Sequence, residues 1–386
     1  MNVALLIESL SVHGGTHKQL LRLAQYLRAS GDRVEIVTRE YLPGQCYEEF
    51  GGFDIKTDPH PARGRLGRVA AGLRLAKLIS PDADVLNVHD QGCDLIALQS
   101  LLQRPSLPVV WQINDLHPAY HVGPYAEIGA RWFHPAQRFV GRLVARRCRA
   151  LTVNVTKNAR RVQQNMGGEP EVFYCGVDQI ASTPTVRRLE APIQVLSIGV
   201  FYPYRNYETI IDALALLASQ DIGAELTVVG TTKYHPEYAH TVETLARQRG
   251  VAVCWLGEVT EEVLRRTMAR SHLFVFVNVD QSWGLAAFEA LNMSLPVVLS
   301  ESVGAVELLR DNPSVRVVDP KSAVAVAAAI ADIASSQRRY EQLMATAFES
   351  VQAYTWDKLY SSAMRRLFLR LSQTSERARG AAASRT

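Results

Sequence analysis

The stretch Leu273–Ser300, LFVFVNVDQSWGLAAFEALNMSLPVVLS, decides how the chain is expected to fold. Leu273–Val277 is a short apolar run rich in β-branched and aromatic residues, which predicts a buried strand. Gly284–Leu291 is rich in Ala and Leu, which favour a helix, and a second apolar run follows at Pro296–Leu299. A strand, a helix and a strand of these lengths form a βαβ unit, whose two strands must be parallel.

The loop Asn278–Trp283 is then expected at the carboxyl end of a strand, directly before a helix. Open α/β sheets bind ligands at this edge. The backbone N–H groups of Gly284 and Leu285 begin the helix, and together with the helix dipole they suit a phosphate. The sequence therefore predicts an anion-binding loop at this position.

The segment GLAAFEALNMSLPVV, which follows Gln281 and Trp283, resembles the signature of retaining glycosyltransferases of family 4, which have the GT-B fold. That family carries two glutamates here; the second is present as Glu289, and Gln281, eight positions earlier, stands in place of the first. The resemblance implies that Glu289 holds the ribose hydroxyls of a nucleotide sugar. It also implies that Gln281, Trp283, Gly284 and Leu285 belong to the donor-binding loop. A carboxylate can accept hydrogen bonds from two vicinal hydroxyls, and an amide can both donate and accept.

Length and composition set the bounds of this interpretation. A chain of 386 residues is too long for one typical core and suits two domains. With 47% hydrophobic and 21% charged residues it is an ordinary globular chain, and a net charge of +4 does not by itself indicate nucleic acid. The five scattered cysteines contain no CxxC pair, which argues against a disulfide framework or a zinc site. Since no signal peptide or membrane span is apparent either, we expect a cytoplasmic protein.

Strand and helix patterns alternate along both halves of the chain. In the first half, strands are predicted at Val3–Ile7, Val34–Thr38, Val85–Val88, Val109–Ile113, Leu151–Val155 and Val172–Tyr174. In the second half, strands are predicted at Val195–Ile198, Glu225–Val229, Ala252–Leu256, Leu273–Val277, Val297–Leu299 and Val315–Val318. Two successive runs of this kind predict an α/β protein with two Rossmann-like, doubly wound parallel-sheet domains that face a cleft, the GT-B plan.

We place an N-terminal acceptor-binding domain at residues 1–182 and a C-terminal nucleotide-sugar-binding domain at residues 193–355. Between them, Thr183–Pro192 is polar, charged and bracketed by prolines, which is typical of a linker. The resemblance implies that the late helix, Trp356–Leu371, crosses back to the N-terminal domain. Residues 372–386 are expected to form a disordered tail.

Arg205 follows the end of a predicted strand at Gly199 and enters the next helix. In the resembling family two cations in this region clamp the donor diphosphate; Arg205 matches the second, while Val200 stands at the first. A guanidinium would stabilise the departing nucleoside diphosphate, whereas the start of a helix is an unfavourable place for a mere surface cation. Lys233 is a candidate for the missing charge.

Four further positions gain a role from the resemblance. Gly304 would let the backbone approach the nucleotide. Glu307 either meets sugar or ribose hydroxyls or is a first-turn acid favoured by the helix dipole. The Gly14-Gly15 pair would lie near the donor phosphate and the acceptor, although a plain tight turn explains two glycines equally well.

Polar residues also follow two strands of the first half. His89 follows one of them, and Asn114 and His117 follow another. In the family a histidine near the reacting sugar often occupies the position of Asn114. We therefore name Arg205, Asn114 and His117 as catalytic candidates, with a strand-end structural role open for both histidines.

Two basic segments, residues 60–77 and 138–149, carry several arginines among apolar residues. One interpretation is peripheral contact with an anionic membrane at the inner face of the plasma membrane. The alternative is a solvated helix whose apolar side packs on the sheet.

These features together predict a retaining glycosyltransferase that moves a hexosyl-type group from a UDP-sugar or GDP-sugar to a hydroxyl acceptor. The acceptor is a glycan, a lipid-linked sugar or a small molecule, and we expect no cofactor and no metal. Two alternatives remain, a GT-B sugar-nucleotide epimerase and a non-catalytic nucleotide-sugar-binding protein. The second is raised by the departures at Val200, Asn114 and Gln281.

Overall fold

The computed structural model describes residues 1–58, 60, 64–89, 91–123 and 134–383. The chain divides into two compact units, one comprising Met1–Gly176 with Trp356–Thr386 and the other comprising Val177–Thr355. The first unit thus ends before residue 182. Part of the first basic segment, residues 61–63, lies outside the described residues, as do residues 384–386 of the expected tail.

The first unit is built on a seven-stranded sheet with the order β3-β2-β1-β4-β5-β6-β7, in which every neighbouring pair is parallel. Its strands are β1 (Asn2–Leu10), β2 (Arg33–Tyr41), β3 (Asp54–Thr57), β4 (Val85–His89), β5 (Val109–Ile113), β6 (Ala150–Val153) and β7 (Glu171–Val172). The central strands β4 and β5 are buried at every position, as expected for a parallel sheet covered on both faces. The edge strand β3 has the sequence DIKT, whose single apolar residue gives no strand signal.

The helices of this unit that precede the second unit are α1 (Gly15–Ala29), α2 (Gly64–Leu78), α3 (Asp94–Gln103), α4 (His134–Arg147) and α5 (Thr156–Asn165). The predicted apolar side of α1 is buried from Leu20 to Leu27. Helix α3 packs against both α2 and α4. None of the helices in the described part of the chain is long and apolar enough to cross a membrane.

The second unit is built on a six-stranded parallel sheet with the order β10-β9-β8-β11-β12-β13. Its strands are β8 (Ile193–Ile198), β9 (Ala224–Val229), β10 (Val253–Gly257), β11 (Leu273–Phe276), β12 (Val297–Ser300) and β13 (Val315–Val318). Its helices are α6 (Tyr207–Ala218), α7 (Pro236–Arg249), α8 (Glu261–Arg270), α9 (Leu285–Asn292), α10 (Val306–Leu309), α11 (Ala323–Ile333) and α12 (Gln337–Ser350). The predicted βαβ unit is confirmed as β11, α9 and β12, since Val275 of β11 pairs in parallel with Val298 of β12.

The segment expected as a linker, Thr183–Pro192, instead packs on the second unit. Arg187 is only 7% exposed and donates to the carbonyls of Met268, Ala269, Met293 and Ser294. These carbonyls lie at the carboxyl ends of α8 and α9, where the helix dipole is negative. The polar and charged composition that suggested a linker is explained in part by Arg187, which finds its partners in helix ends.

The last helix, α13 (Ser362–Ala383), belongs to the first unit. Arg365 of α13 and the N-terminal ammonium both bind the buried carboxylate of Asp32, at 2.7 and 2.9 Å. The prediction of disorder from residue 372 was wrong up to Ala383, because the Ala- and Arg-rich composition of this segment also favours a helix.

Candidate functional site

Arg205 lies directly against the end of β8 in the second unit. A Cβ at Gly199 would come within 2.6 Å of Cζ and Nε of Arg205, so the glycine makes room for the guanidinium. The backbone of Gly199 also approaches Gly230, which follows β9. A Cβ at Gly230 would lie 1.9 Å from the carbonyl oxygen of Gly199. Because Gly199 and Gly230 have no side chains at these neighbouring strand ends, the guanidinium of Arg205 can lie against the carboxyl edge of the sheet.

The guanidinium of Arg205 is held between aromatic rings. Its Cζ lies 5.1 Å from the ring centre of Tyr204 and 5.7 Å from that of Phe276, within cation–π range. With the Asn278 amide oriented so that both its atoms have partners, its oxygen accepts from Arg205 Nη1 at 2.9 Å. Among the described residues no carboxylate pairs with Arg205, and its buried Nε makes no hydrogen bond. The arrangement leaves a preorganised, uncompensated positive charge.

The turn that carries Arg205 is fixed by Asn206, which sequence reasoning did not single out. Asn206 adopts a left-handed conformation with φ 58°, a region that Asn tolerates better than most residues. Its Nδ2 donates to the carbonyls of Val277 at 3.0 Å and of Pro320 at 2.6 Å. The asparagine thus joins the loop after β8 to the end of β11 and to the loop after β13.

Helix α9 begins beside the same aromatic ring. Gly284 precedes it with φ 108° and ψ 56°, and a Cβ there would meet Val303 at 2.8 Å and Phe276 at 3.1 Å. Only glycine meets both the conformation and the space. Leu285 starts the helix, whose first N–H groups lack intrahelical acceptors. Since Phe276 contacts both Arg205 and this helix start, the predicted anion-binding features adjoin one another.

The loops after β11 and β12 are joined to each other. Gly304 N donates to the Gln281 carbonyl at 3.1 Å, and Ala305 N donates to the Trp283 carbonyl at 2.8 Å. Trp283 is buried and stacks on Phe288 at 5.2 Å. Gln281 lies 3.3 Å from the Asn278 amide. The structure therefore brings Gln281, Trp283 and Gly304 into the neighbourhood of Arg205.

The three remaining charged candidates of this unit differ in setting. Glu289 lies half-buried on α9, one turn after Leu285. Glu307 is exposed in the first turn of the four-residue helix α10, which agrees with the dipole interpretation at least as well as with hydroxyl binding. Lys233 is 78% exposed and pairs with Glu258 at 3.4 Å, a surface ion pair of small energy. The structure thus offers no support for Lys233 as the second cation.

In the first unit, Gly14 caps the start of α1 and Gly15 is its first residue. A Cβ at Gly14 would come within 2.9 Å of His17 Nδ1, so this glycine makes room for a histidine. The other nitrogen of His17 lies 2.8 Å from the Ser9 carbonyl, and burial lowers the pKa of His17. His17 is therefore a neutral side chain in the first turn of α1 that is hydrogen-bonded to the end of β1.

Asn114 is engaged in a buried amide network. Its Nδ2 donates to Gln19 Oε1 at 2.8 Å and to Thr16 Oγ1 at 3.3 Å, while its Oδ1 accepts from Gln112 Nε2 at 3.0 Å. Gln112 accepts from Thr152 at 2.6 Å. Both amide hydrogens of Asn114 are thus used inside the protein, which favours a structural role over the predicted catalytic one.

His117 caps a turn at residues 118–120. Its Nδ1 accepts from Ala119 N at 3.0 Å, which fixes the tautomer with the proton on Nε2. Burial and the neighbouring His134 lower the pKa of His117. The structural alternative weighed for this histidine is therefore favoured over a catalytic one.

Sequence reasoning also missed a buried acid, Asp94, at the start of α3. Only 3% of this residue is exposed, and burial, with a smaller contribution from Glu8, raises the pKa of Asp94 to about 7. Leu95 N donates to Oδ1 at 2.7 Å, and Gln137 of α4 donates to Oδ2. In sequence Asp94 looks like any acid in the first turn of a helix, so no signal distinguished it.

Two family models match the chain, one to each half. The Glycosyltransferase Family 4 model matches residues 13–179 and the model of Glycosyl transferases group 1 matches residues 182–350. A phosphatidyl-myo-inositol mannosyltransferase of Mycobacterium leprae is 23% identical over 92% of this chain and 93% of its own length. A D-inositol 3-phosphate glycosyltransferase of Geodermatophilus obscurus is 27% identical over 65% of this chain and 60% of its own length.

Solved structures resemble the whole chain in fold. Sucrose-phosphate synthase from Thermosynechococcus elongatus matches with a TM-score of 0.79 at 18% identity, covering 97% of this chain and all of its own. Anabaena HepE in complex with UDP and glucose matches with a TM-score of 0.73 at 17% identity, covering 95% of this chain and 99% of its own. From these matches and the two parallel-sheet units, the chain is a glycosyltransferase of the family 4 type with the GT-B fold, an enzyme that transfers sugars.

Proposed function

We propose that the enzyme transfers a hexosyl group from a nucleoside diphosphate sugar to a hydroxyl acceptor with retention of the anomeric configuration. The observation that carries the proposal is the uncompensated guanidinium of Arg205, held over Gly199 beside the start of α9. A diphosphate needs positive charge and backbone N–H groups, and both adjoin the Phe276 ring. Charge that builds up on the departing diphosphate would be stabilised there without reorganisation.

Glu289 is proposed to hold the ribose hydroxyls, and Gln281 to meet the donor hexose. Gln281 lies in the loop between β11 and α9, and Glu289 lies in α9 itself. Neither role needs a metal, since the cation and the helix N–H groups supply the positive charge. The relatives are named as transferases, which favours transfer over epimerisation of the sugar nucleotide.

A donor panel tests this proposal. GDP-mannose, UDP-glucose and UDP-galactose would each be incubated with the enzyme, and release of nucleoside diphosphate would be followed by chromatography. We expect release from one donor class, and proton NMR of the early product is expected to show the anomer of the donor. An inverted product would overturn the retaining mechanism, and an epimerised nucleotide sugar would favour the epimerase alternative.

We also propose that the first unit makes peripheral contact with an anionic membrane through α3 and α4. Phe139 of α4 is 67% exposed, and Arg142 and Arg146 are exposed on the same side of that helix. Leu102 of the adjoining α3 is 59% exposed. Exposed apolar side chains beside arginines suit the boundary between headgroups and acyl chains.

Liposome flotation at low salt tests the membrane proposal. Vesicles with anionic lipid should carry the wild type, and Phe139→Ala should weaken binding. Val186→Ala, which removes an apolar side chain that is 84% exposed in the second unit, serves as the control. Absence of wild-type binding to anionic vesicles would reject the proposal.

A further inference from the structure

The loop after β11 is paired with the turn between β8 and α6 by hydrogen bonds on both sides of one residue pair. Val279 N donates to the Tyr204 carbonyl at 2.7 Å. Two residues away in each segment, Asn206 Nδ2 donates to the Val277 carbonyl at 3.0 Å. The two segments are therefore held in register around the residues that lie between these bonds.

The residues between these bonds are Asn278 and Arg205, and the amide of Asn278 meets Arg205 twice. With the amide oriented so that both its atoms have partners, its oxygen accepts from Nη1 of Arg205 at 2.9 Å. Its nitrogen then donates to the Arg205 carbonyl at 3.3 Å. Because one side chain binds both the backbone and the tip of this long arginine, it restricts the rotamers that the arginine can adopt.

Asn278 is itself fixed in the interior of the second unit. Only 2% of the residue is exposed, and its amide also lies 3.3 Å from that of Gln281. Buried amides keep their hydrogen bonds because no water is at hand to replace a lost partner. Asn278 is therefore a rigid support for the guanidinium and not a mobile surface residue.

The chemistry of an amide matters at this position. A carboxylate would form an ion pair with the guanidinium and offset its charge toward a ligand. It would also have no hydrogen to donate to the Arg205 carbonyl. Asn278 supplies one acceptor, one donor and no charge, so it can orient the guanidinium and leave the positive charge available.

We propose that Asn278 is a positioning residue of the donor site, which sets the orientation of the Arg205 guanidinium and leaves its charge for a diphosphate. Asn278 acts through Arg205 and does not itself touch the donor. A cation that is already oriented stabilises negative charge without reorganisation, and such supporting contacts decide how precisely a site is held. The diphosphate part of this inference rests on the proposed function, whereas the orientation of the guanidinium is testable without a ligand.

NMR of the full chain, labelled with isotopes at its arginine side chains, tests the orientation. The signals of Arg205 are those that are missing from Arg205→Ala. We expect separate Nη signals for Arg205 in the wild type, because a hydrogen bond from Nη1 slows rotation of the guanidinium. Asn278→Ala should merge them, and Asn278→Asp should keep them because a carboxylate still accepts from Nη1. Merged signals in the wild type, or separate signals in Asn278→Ala, would overturn the inference.

Calorimetric titration of UDP and GDP into the same variants tests the role in donor binding. Asn278→Ala should bind the nucleotide about fivefold more weakly or worse, because its guanidinium is mobile. Asn278→Asp should lose about as much for a different reason, because its carboxylate offsets the charge of Arg205.

A double-mutant cycle distinguishes positioning from a general structural effect. If Asn278 acts through Arg205, then adding Asn278→Ala to Arg205→Ala should change nucleotide affinity by less than about twofold. An equal loss from Asn278→Ala with and without Arg205 would show that the asparagine only supports the fold of the loop, and the positioning role would be refuted.

Asn312 offers a matched control in the same unit. It lies between α10 and β13, donates to Ser350 Oγ at 2.8 Å and accepts from Ser314 N at 2.9 Å. Asn312→Ala therefore also removes an amide with two partners, yet it should keep both the Arg205 signals and the nucleotide affinity of the wild type. Urea unfolding of each variant checks that the proteins compared are folded.

The two measurements separate this inference from the proposed function. If the Arg205 signals depend on Asn278 but the wild type binds neither nucleotide, the proposed donor role fails and Asn278 still orients the guanidinium. If the wild type binds a nucleotide that Arg205→Ala does not, while Asn278→Ala binds it as the wild type does, the donor role of Arg205 stands and the positioning role of Asn278 is refuted.

Discussion

Gly199 and Arg205 are in direct contact: a Cβ at position 199 would lie 2.6 Å from the guanidinium carbon of Arg205. The clashing atoms are at the end of a flexible side chain, so Gly199→Ala should fold. We expect it to displace the guanidinium and to lower turnover by about tenfold, equivalent to about 1.4 kcal/mol. Steady-state kinetics with the donor found in the panel would measure the loss.

A matched glycine gives the control for this variant. A Cβ at Gly223 would meet Pro192 at 3.7 Å, an ordinary contact. Gly223→Ala should therefore keep both stability and turnover. Equal turnover in Gly199→Ala and Gly223→Ala would show that the position of Arg205 does not matter for transfer.

The role proposed for Glu289 predicts that the charge and shape of its carboxylate both matter. Glu289→Ala should lower turnover by about tenfold or more. Glu289→Gln should lose less, because an amide still accepts one hydrogen bond from a ribose hydroxyl. Glu349→Ala, at an exposed glutamate of α12, is the control in the same assay. Wild-type turnover in Glu289→Ala would refute the ribose role.

Arg187 is predicted to be a major source of stability for the second unit. Its guanidinium donates to carbonyls at the ends of two helices, and Arg187→Met would leave these carbonyls without a partner. We expect a loss of about 2–4 kcal/mol in the free energy of unfolding, measured by urea titration. Arg188→Met, at the exposed neighbour, should change it by less than about 0.5 kcal/mol.

His89 predicts a loss of stability in acid. Burial, and to a lesser extent His17, lowers the pKa of His89 from 6.5 to about 3. Below pH 6.5 the unfolded chain binds a proton that the folded protein does not, so stability falls as the pH drops towards 3. The expected loss at pH 5 is about 2 kcal/mol.

Urea unfolding at pH 7, 6 and 5 measures this loss. His89→Gln keeps a donor toward Asn87 Oδ1, which lies 2.7 Å from Nε2, but cannot titrate. Its stability should therefore change less with pH than that of the wild type. If the free energy of unfolding of His89→Gln fell with pH as steeply as that of the wild type, His89 would not be held neutral by burial.

The second unit, where we propose the donor site, could largely be predicted from the sequence because its signals are local. The apolar runs of β11 and β12, the helix formers of α9 and the glycine at 284 lie within one stretch of 28 residues. Gly199 and Arg205 are also separated by only one turn. Short-range patterns of this kind specify backbone conformation and nearest contacts directly.

The first half could not be predicted as well because its site residues depend on distant partners. Asn114 was named a catalytic candidate from its position after a strand. In the structure its amide is held by Gln19, which is 95 residues away in the sequence. Asp94 is buried, and its Oδ2 accepts a hydrogen bond from Gln137 of another helix. In sequence Arg187 resembles a linker residue, whereas in the structure it donates to carbonyls at the ends of α8 and α9. Burial and long-range hydrogen bonds of this kind leave no periodic trace in the sequence.

The most direct test of the account is calorimetric titration of GDP and UDP into the wild type and Arg205→Ala. Arg249→Ala removes an arginine that pairs with Asp212 on the surface of the same unit and serves as the control. The account predicts that the wild type and Arg249→Ala bind one nucleotide with equal affinity, and that Arg205→Ala binds it about tenfold more weakly or worse. No binding of either nucleotide to the wild type, or equal affinity in Arg205→Ala, would contradict the proposal that this guanidinium holds the donor diphosphate.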